Sequence, residues 1–309
     1  MEEKIRVGVV GTGHLGKHHA RIYNDLPNAV LCGICDIDEK TAQKTASKLG
    51  TEYFTNFEDM LDKVQAVSIA TPTETHFDIA RKFLSRGIHT LVEKLITNDP
   101  EHAKQMIDAA SAAGCILQVG HVERYNGAVM KAREFIRDPM FIEVNRISRF
   151  PARSLDIGVV LDLMIHDIDI ILSFVDSCIQ KVDSVGASVF SGKEDIANCR
   201  LQFENGCVAN ITASRISYKS ERKFRVFESD SYLSLDYEKQ EFVVYKKKSG
   251  KIESPDDVER IVPKIDKTEP LSAELADFLQ CIKQNKEPAV GGRQGLSALQ
   301  VALDITGRI

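Results

Sequence analysis

The sequence has no marked excess of charge of one sign and no long uninterrupted apolar run. Its 309 residues contain 40 Lys and Arg against 45 Asp and Glu, which gives a formal net charge of −5. Because nucleic-acid binding relies on concentrated Lys and Arg, this balance argues against a nucleic-acid-binding protein. A local basic pocket for one phosphate ester remains compatible with it. The content of 43% apolar and 28% charged residues indicates a globular protein and excludes a disordered or collagen-like chain.

Disulfides, a membrane span and a signal peptide are not expected. The seven cysteines are odd in number and lie in apolar segments, which favours reduced thiols over the disulfides of a secreted protein. The segment Ile5–Val10 has the pattern of a buried strand rather than of a signal peptide. The longest apolar stretch, Ile157–Val175, is interrupted by Asp162, His166, Asp167 and Asp169. We therefore expect a cytoplasmic protein.

The first 120 residues alternate short apolar runs with amphipathic stretches. The apolar runs predict five strands that are buried on both faces: Ile5–Val10, Val30–Cys35, Ala66–Ala70, Thr90–Val92 and Cys115–Val119. The stretches between them predict helices that include Glu39–Leu49, Glu74–Ser85 and Pro100–Ala112. Because strands that alternate with helices form parallel sheets with right-handed crossovers, we predict an α/β domain over residues 1–120.

After Gly120 the pattern becomes that of an α+β domain with a large, mostly antiparallel sheet. Helices are predicted at Tyr125–Arg137 and Val159–Val175, with a strand at Phe141–Phe150 between them. Six further strands are predicted: Val185–Phe190, Asn198–Phe203, Val208–Ser214, Phe224–Glu228, Tyr232–Asp236 and Glu241–Tyr245. Two helices close the chain. We therefore place a second domain over residues 121–309, whose last helices could pack back on the first domain.

A glycine-rich loop follows the first predicted strand. Gly11, Gly13 and Gly16 satisfy the G-x-G-x-x-G spacing in the required context, with a strand before them and a helix after them. The first glycine permits a tight turn, the second lets a pyrophosphate approach the backbone, and the third lets the helix pack on the strand. The whole loop is predicted to bind a dinucleotide: Gly11, Thr12, Gly13, His14, Leu15 and Gly16. The alternative is an ordinary strand-to-helix turn.

Asp36 lies at the end of the second predicted strand, twenty residues beyond Gly16. A carboxylate there can accept hydrogen bonds from the hydroxyls of an adenosine ribose, and it would repel a 2′-phosphate. The next residues, Ile37 and Asp38, supply no arginine that could bind such a phosphate. The sequence therefore favours NAD over NADP as the cofactor.

Three further motifs, together with the glycine loop, resemble one family of enzymes. They are Ala70-Thr-Pro-Thr-Glu-Thr-His76, Leu91-Val-Glu-Lys94 and Leu161-Asp-Leu-Met-Ile-His166. In this order they resemble the glucose–fructose oxidoreductase, inositol dehydrogenase and rhizopine-catabolism (Gfo/Idh/MocA) family of NAD(P)-dependent oxidoreductases, over nearly the whole chain. The resemblance implies a Rossmann domain followed by an α+β domain. It also implies that the second domain binds the substrate and forms homodimers or homotetramers through its sheet.

Two stretches are closer to the nucleotide-sugar branch of that family. They are Gln118–Val129 and Asp156–Asp169, which are similar to UDP-N-acetylglucosamine 3-dehydrogenases. Such enzymes oxidise the C3 hydroxyl of the sugar to a ketone, which a partner aminotransferase usually converts to an amine. One position departs from the family pattern, since Leu95 stands where a proline usually follows the lysine. Leu95 lacks the constraint that proline would place on the backbone next to Lys94.

Three residues carry the chemistry that oxidation of an alcohol requires. Asp162 and His166 are four residues apart on a predicted helix and so share a face, and a histidine suits the role of proton acceptor. Lys94 lies just past a strand end, where it could stabilise an alkoxide or share the role of base. Taken alone, Asp162, His166 and Asp169 would belong to a solvated polar stripe. A metal site built from them is disfavoured, and the resemblance favours catalysis.

The resemblance implies further contacts for the cofactor and the substrate. Glu93 would face the nicotinamide ribose, Thr71 and Pro72 would shape the turn along the cofactor, and His76 would cap the following helix or touch the dinucleotide. The candidate substrate contacts are Arg124, Tyr125, Asn126, Arg149, Arg153 and Arg215. The arginines among them are chosen because guanidinium groups bind diphosphate oxygens bidentately. No metal is predicted.

Two other functions remain open at this point. The chain could oxidise a free sugar or a polyol such as inositol instead of a nucleotide sugar. It could also be a non-catalytic NAD-binding regulator, because a fold does not by itself secure chemistry, and Leu95 keeps that alternative open.

Overall fold

The computed structural model describes residues 4–150, 156–248 and 250–309. Arg153, one of the predicted substrate contacts, lies outside these residues. The chain divides into two compact units. The first unit contains the described residues up to Val122 together with Leu271–Ser297, and the second contains Glu123–Pro270 and Ala298–Ile309. None of the described helices is both long enough and apolar enough to cross a membrane.

The first unit is a six-stranded sheet in which every strand pairs in parallel with its neighbours, in the order β3-β2-β1-β4-β5-β6. The strands are β1 (Ile5–Val10), β2 (Ala29–Cys35), β3 (Glu52–Phe54), β4 (Ala66–Ile69), β5 (His89–Glu93) and β6 (Leu117–Gly120). The helices between them are α1 (Gly16–Asp25), α2 (Glu39–Leu49), α3 (His76–Leu84) and α4 (Pro100–Ala113). This order is that of a Rossmann sheet, whose ligands bind at the carboxyl ends of the strands. The predicted parallel α/β fold is confirmed.

The helices of the first unit begin and end where local chemistry dictates. Asp38 caps α2 by accepting a hydrogen bond from the backbone N–H of Lys40, and Asp99 caps α4 in the same way. Gly50 and Gly114 end these two helices in the left-handed conformation. Such caps satisfy backbone groups that the helix itself leaves without partners, so they fix where the crossovers return to the sheet.

The second unit is built on an eight-stranded sheet in the order β14-β13-β12-β11-β7-β10-β9-β8. Its strands are β7 (Phe141–Ile147), β8 (Ile179–Ala187), β9 (Ile196–Phe203), β10 (Val208–Ser214), β11 (Glu221–Phe227), β12 (Ser231–Asp236), β13 (Glu241–Lys247) and β14 (Val258–Ile261). All neighbours are antiparallel except β7 and β10. This confirms the predicted α+β architecture. Asn205 and Gly206 form a tight turn between β9 and β10, with a φ of 88° at Gly206.

The helices of the second unit differ from their predicted extents. The predicted helix Tyr125–Arg137 contracts to α5 (Gly127–Ala132), because Asn126 caps it and the chain turns after Ala132. The predicted helix Val159–Val175 divides into a π-helical turn, Val160–Met164, and α6 (Ile165–Phe174). The predicted strand Val185–Phe190 ends earlier, since β8 stops at Ala187.

The chain closes with α7 (Pro270–Gln284) and α8 (Gly292–Thr306). Leu275, Phe278 and Leu279 on α7 are completely buried and join the hydrophobic core of the first unit. Each such side chain contributes about 1.5–3 kcal/mol through burial. The backbone continues this attachment, since Val119 on β6 donates to the carbonyl oxygen of Val290. The C-terminal residues of the first unit are thus part of its core, and the division between the two units crosses α8.

Candidate active site

The glycine loop lies at the carboxyl end of β1, and its geometry requires glycine. Gly11 has a φ of 87°, and a Cβ there would lie 2.6 Å from the carbonyl oxygen of Ala70. A Cβ at Gly16 would collide with the carbonyl oxygen of Gly11. Around Gly13, by contrast, no atom lies within 4 Å of an added Cβ, so open space faces the backbone. The loop therefore combines a tight packed base with an accessible tip that includes the exposed residues His14 and Leu15.

The first turn of α1 offers backbone N–H groups to an anion. Leu15 occupies the capping position and provides no side-chain hydrogen bond, and the first turn contains no acidic residue. A helix start of this kind carries partial positive charge and N–H groups that favour a phosphate. The loop and the helix start thus suit a pyrophosphate.

Asp36 follows β2 and is bonded to the glycine loop. Its Oδ2 accepts from the backbone N–H of Thr12 at 2.7 Å and from the Thr12 hydroxyl at 2.8 Å. Its Oδ1 accepts from the backbone N–H of Asp38 at 3.0 Å. A carboxylate has about four acceptor positions, so these bonds fix Asp36 and leave it able to accept further hydrogen bonds.

His76 joins two of the predicted cofactor segments. It is completely buried at the start of α3, with Nδ1 2.7 Å from the carbonyl oxygen of Leu95 and Nε2 3.0 Å from that of Thr71. Burial lowers the pKa of His76, although the two carbonyl oxygens oppose this shift. Its imidazole therefore fixes the turn at Thr71 and Pro72 to the segment that follows Lys94, instead of capping α3.

Glu93 is the last residue of β5, and Lys94 follows it. The Glu93 carboxylate lies over Gly120 on β6, where an added Cβ would be 2.9 Å from it, and Oε1 is 2.9 Å from Nε2 of His19. His19 and Glu93 are 0% and 6% exposed, whereas Lys94 is half-buried. The peptide bond between Lys94 and Leu95 is cis. The neighbours of Lys94 in the chain each contact a buried histidine. Glu93 contacts His19, and the carbonyl oxygen of Leu95 contacts His76.

No motif in the sequence marks His19 as a site residue. It lies on the inner face of α1 with Gly16, Ala20 and Tyr23, all buried. That placement was the available signal, because a polar residue on an apolar helix face needs a partner inside the protein. Its partner, Glu93, is 74 residues away in sequence, so the pairing itself could not be read locally.

In the second unit, Asp162 and His166 lie on successive helical turns. Asp162 belongs to the π-helical turn and His166 to the first turn of α6, and both side chains are half-buried. A π-turn contains more residues per turn than an α-helix, so residues four apart still project from one side. Single π-turns inside α-helices occur frequently at functional sites.

The helix that carries His166 is attached to its own unit by two buried ion pairs. Asp167 accepts two hydrogen bonds from Arg146 on β7, at 2.7 and 2.9 Å. Asp169 lies 3.0 Å from Nε of Arg124. Burial opposes the charge on Arg146, but Asp167 and Glu123 outweigh it and raise the pKa of that guanidinium above its usual value. Asp169 is 2% exposed, so the predicted alternative of a solvated polar stripe is wrong at that position.

Several predicted substrate contacts occupy structural positions. Arg124 is buried against Asp169, Tyr125 is buried, and Asn126 caps α5 while donating to the carbonyl oxygen of Tyr237. Arg215 is 0% exposed and donates to Asp195, Ser191 and the carbonyl oxygen of Ile157. The expectation that Arg215 contacts a diphosphate is therefore corrected, because all of its guanidinium is enclosed by its own unit. Arg149 is exposed just after β7.

Among the described residues, no three His, Cys, Asp or Glu side chains are arranged to bind a metal ion. The two cysteines of the Cys32–Cys35 segment are free thiols on β2, and burial raises the pKa of Cys35 to about 12. A thiol with so high a pKa is a poor nucleophile at neutral pH.

Two models of known protein families match this chain. Residues 5–121 match the model of an oxidoreductase family with an NAD-binding Rossmann fold, and residues 125–234 match that of the GFO/IDH/MocA C-terminal domain. The UDP-N-acetylglucosamine 3-dehydrogenase of Acidithiobacillus ferrooxidans is 34% identical over 302 residues, which cover 97% of this chain and 96% of that protein. The scyllo-inositol 2-dehydrogenase (NAD(+)) of Bacillus subtilis is 27% identical and covers 99% of this chain, with 94% of its own length matched.

Solved structures agree with these matches. A structure of the Acidithiobacillus ferrooxidans enzyme superposes with a TM-score of 0.94 at 33% identity, over 100% of this chain and 98% of the other. Levoglucosan dehydrogenase, in complex with NADH and levoglucosan, superposes with a TM-score of 0.88 at 19% identity, over 99% of this chain and 97% of the other. At that identity the second likeness describes the fold alone.

Proposed function

The chain belongs to the Gfo/Idh/MocA family of oxidoreductases, which act on CH–OH groups, and from that membership we propose that it oxidises a nucleotide sugar. The proposed reaction converts the C3 hydroxyl of UDP-N-acetylglucosamine to a ketone with NAD. The observation that carries this proposal is the similarity, along almost the whole chain, to a dehydrogenase named for that substrate. The chain also contains the groups that the chemistry needs, Lys94, Asp162 and His166.

The proposed division of labour follows from what an alcohol loses on oxidation. NAD, when bound, accepts the hydride that leaves carbon. His166 accepts the proton that leaves the hydroxyl, because an imidazole titrates near neutrality. Lys94 donates a hydrogen bond to the same oxygen and stabilises the negative charge that develops there. Asp162 orients the imidazole or a neighbouring sugar hydroxyl.

The residues of the first unit fit a dinucleotide. The open space at Gly13 and the N–H groups at the start of α1 suit the pyrophosphate, and Asp36 retains acceptor capacity for the adenosine ribose. Glu93 is assigned to the nicotinamide ribose, while Thr71, Pro72 and His76 form the turn beside it. The carboxylate at Asp36 supports NAD over NADP, because it would repel a 2′-phosphate.

For the diphosphate of the substrate, the structure supports Arg149 among the predicted arginines. It is exposed and follows β7, whereas Arg124 and Arg215 are buried and engaged with Asp169 and Asp195. A guanidinium that remains accessible can bind phosphate oxygens bidentately. Tyr125 and Asn126 are then supporting residues of the second unit.

We also propose that the protein assembles as a homodimer or homotetramer through the sheet of the second unit. A row of aromatic rings crosses the sheet, with ring centroids 5.7 Å apart for Phe141 and Phe227, 4.9 Å for Phe227 and Tyr232, and 6.0 Å for Tyr232 and Tyr245. All four rings are partly exposed, and a second copy could cover them. Light scattering tests this proposal, and a purely monomeric protein at micromolar concentration would contradict it.

In the cell, the proposed ketone product suits an aminotransferase partner. A cytoplasmic location is consistent with seven cysteines that are all free thiols.

The direct test is to incubate the protein with NAD and UDP-N-acetylglucosamine and to follow the NADH absorbance band, with an aminotransferase added to withdraw the ketone. NADH formation is expected together with a sugar product, which is a ketone two mass units lighter than the substrate or, once the aminotransferase has acted, an amine one mass unit lighter. The absence of both would contradict the nucleotide-sugar assignment.

The principal alternative is an inositol-like polyol or a free sugar, which the inositol dehydrogenase relatives support. Free UDP separates these substrates, because it should inhibit competitively only an enzyme that binds a nucleotide sugar. A regulator without catalysis predicts that Lys94→Ala and His166→Ala preserve the cellular phenotype while Gly13→Val abolishes it.

A further inference from the structure

The helical segment that carries Asp162 and His166 receives its N-terminal cap from a distant loop. Val159 precedes the π-helical turn and provides no side-chain cap. Instead, the carbonyl oxygen of Glu194, between β8 and β9, accepts from the N–H of Val159 at 3.0 Å. Oε1 of Glu194 lies 3.5 Å from the backbone nitrogen of Val160. One residue thus serves two N–H groups that a helix start leaves without partners, and its negative charge is favourable there.

Gly158 makes room for this cap. A Cβ built on Gly158 would collide with the carboxyl group of Glu194, which therefore occupies the space of the missing side chain. Glu194 is 8% exposed. The pair is complementary in shape, so any side chain at position 158 must displace Glu194.

The loop that carries Glu194 is itself fixed by the next residue. Oδ2 of Asp195 accepts from the backbone N–H groups of Val189, Phe190 and Ser191 at 2.8, 2.6 and 3.0 Å. Its Oδ1 accepts from Nε of Arg215 at 2.8 Å. These bonds take the backbone donors of Val189 and Phe190 away from the sheet, which explains why β8 ends before them.

Arg215 connects this loop directly to the start of the helix. Its Nη1 donates to the carbonyl oxygen of Ile157 at 2.7 Å, while its Nε is bonded to Asp195. The segment from Ile157 to Val160 is therefore fastened at three successive places, by Arg215 and by the backbone and side chain of Glu194. All of these groups belong to the second unit.

We propose that Glu194, held by Asp195 and Arg215, is a positioning residue for the oxidation. It fixes the first turn of the segment from which Asp162 and His166 project. The proposal rests on the catalytic roles proposed above for those two residues. Because a displacement of about 1 Å can lower a rate about a hundredfold, loss of this cap should reduce turnover without any loss of a catalytic group.

The first test compares Glu194→Ala with Glu194→Gln. The alanine variant should lower kcat about 10- to 100-fold, by the same displacement argument. The glutamine variant should recover most of this loss, since its amide oxygen can accept the same hydrogen bond. The Kd for NAD should stay unchanged, because the first unit contains none of these residues. Glu204→Ala, at an exposed position in the same unit, is the matched control and should keep the wild-type kcat. A wild-type kcat in Glu194→Ala would overturn the proposal.

A second test uses the shape complementarity with Gly158. Gly158→Ala should lower kcat by itself, because its methyl group displaces the Glu194 carboxyl. In the Glu194→Ala background the same substitution should have little further effect, since the space is then empty. Fully additive losses would show that the two residues act separately, and the proposal would be wrong.

Hydrogen exchange separates failure of this proposal from failure of the proposed function. Amide protection over residues 157–166 should fall in Glu194→Ala and be retained in Glu194→Gln, whatever the substrate is. Unchanged protection in Glu194→Ala would overturn the cap. A wild-type protein with no activity on any sugar or polyol would instead contradict the proposed reaction, and the exchange data would still decide whether Glu194 holds the helix.

Discussion

The two units bury their polar groups in different ways. Among the described residues of the first unit, the buried histidine and acidic side chains are His19, His76, Glu93, His121 and Glu274, and no arginine is buried there. The described part of the second unit buries three arginines, each beside an aspartate: Arg124 with Asp169, Arg146 with Asp167, and Arg215 with Asp195. The first unit thus relies on histidines bonded to carbonyl or carboxylate oxygens, and the second on paired opposite charges.

This difference corresponds to what each unit must present to a ligand. At the dinucleotide loop, backbone N–H groups must remain available to a phosphate. The contacts that support the loop therefore come from the packing of its glycines against Ala70 and Thr71, and from His76, which contacts the carbonyl oxygen of Thr71. In the second unit, His166 projects from a helix that must keep its position. Asp167 and Asp169, which follow His166 on α6, attach that helix to β7 and to Arg124. We infer that the charge pairs serve as anchors rather than as ligand contacts.

The largest expected effect is a loss of catalytic efficiency, which can be tested in each unit separately. Lys94→Ala in the first unit and His166→Ala in the second should each lower kcat/KM by about 10²–10⁴, because the proposed mechanism has both groups act on the reacting oxygen. The Kd for NAD should change little in His166→Ala. Since the chain has no tryptophan, this Kd is best measured by calorimetry.

The double variant sharpens this comparison. If Lys94 and His166 act on one hydroxyl, the loss in the double variant should be far smaller than the product of the single losses. Independent, multiplying losses would contradict a shared role. Kinetics with NAD and the active sugar substrate provide both measurements.

The second effect is on stability and concerns the charge pairs alone. Asp167→Ala leaves Arg146 buried without its bidentate partner and should lower the free energy of unfolding of the second unit by about 3–5 kcal/mol. Replacing both residues, as Arg146→Met with Asp167→Leu, should restore much of this loss, because the buried charge of Arg146 is then absent and Glu123 still has Arg222 at 3.6 Å. Denaturant unfolding provides the measurement. Asp176→Ala, an exposed position beyond α6, should stay within about 0.5 kcal/mol of wild type.

The parallel sheet could be predicted closely from sequence for a physical reason. Strands buried on both faces are continuous apolar runs, so β1 was predicted with its observed ends and β2 and β4 to within one residue. The strand β3 was missed because Glu52–Phe54 is short and largely exposed. The strand predicted at Val185–Phe190 ends at Ala187 instead, because the backbone N–H groups of Val189 and Phe190 donate to Asp195. There, one distant carboxylate overrides the local pattern.

The site was predictable where a motif fixes the backbone and not where a distant partner decides. Gly11 and Asp36 follow from loop spacing, since a tight turn and a strand end impose their positions. The partners of His19 and Arg215 lie on other elements, so the sequence could not distinguish a ligand contact from a structural bond. The π-helical turn before His166 has no sequence signature at all.

The third effect tests the selectivity of the first unit for its cofactor. Asp36→Asn keeps an oxygen that can accept from Thr12 but removes the negative charge. We expect the Kd for NAD to rise about tenfold, consistent with loss of a charge-assisted hydrogen bond, and that for NADP to fall. Calorimetric titration with both cofactors measures the ratio. A ratio equal to that of the wild type would contradict the assignment of Asp36 to the ribose.

The smallest effect is a pH dependence of stability that the histidines of the first unit should produce. Burial lowers the pKa of His76 and of His89 below the ordinary value of 6.5, and Nδ1 of His89 accepts from the backbone N–H of Ile116. The unfolded chain therefore binds protons near pH 6.5 that the folded unit does not, so stability is full above that pH and declines as the pH falls below it. Each histidine can contribute a slope of at most about 1.4 kcal/mol per pH unit. His89→Gln keeps an acceptor for Ile116 and should flatten the decline in Tm between pH 7 and 5.5, whereas His18→Gln, at a half-buried histidine on α1, should preserve it. If the fall in Tm between pH 7 and 5.5 is unaltered in His89→Gln, the acid sensitivity arises from groups other than His89.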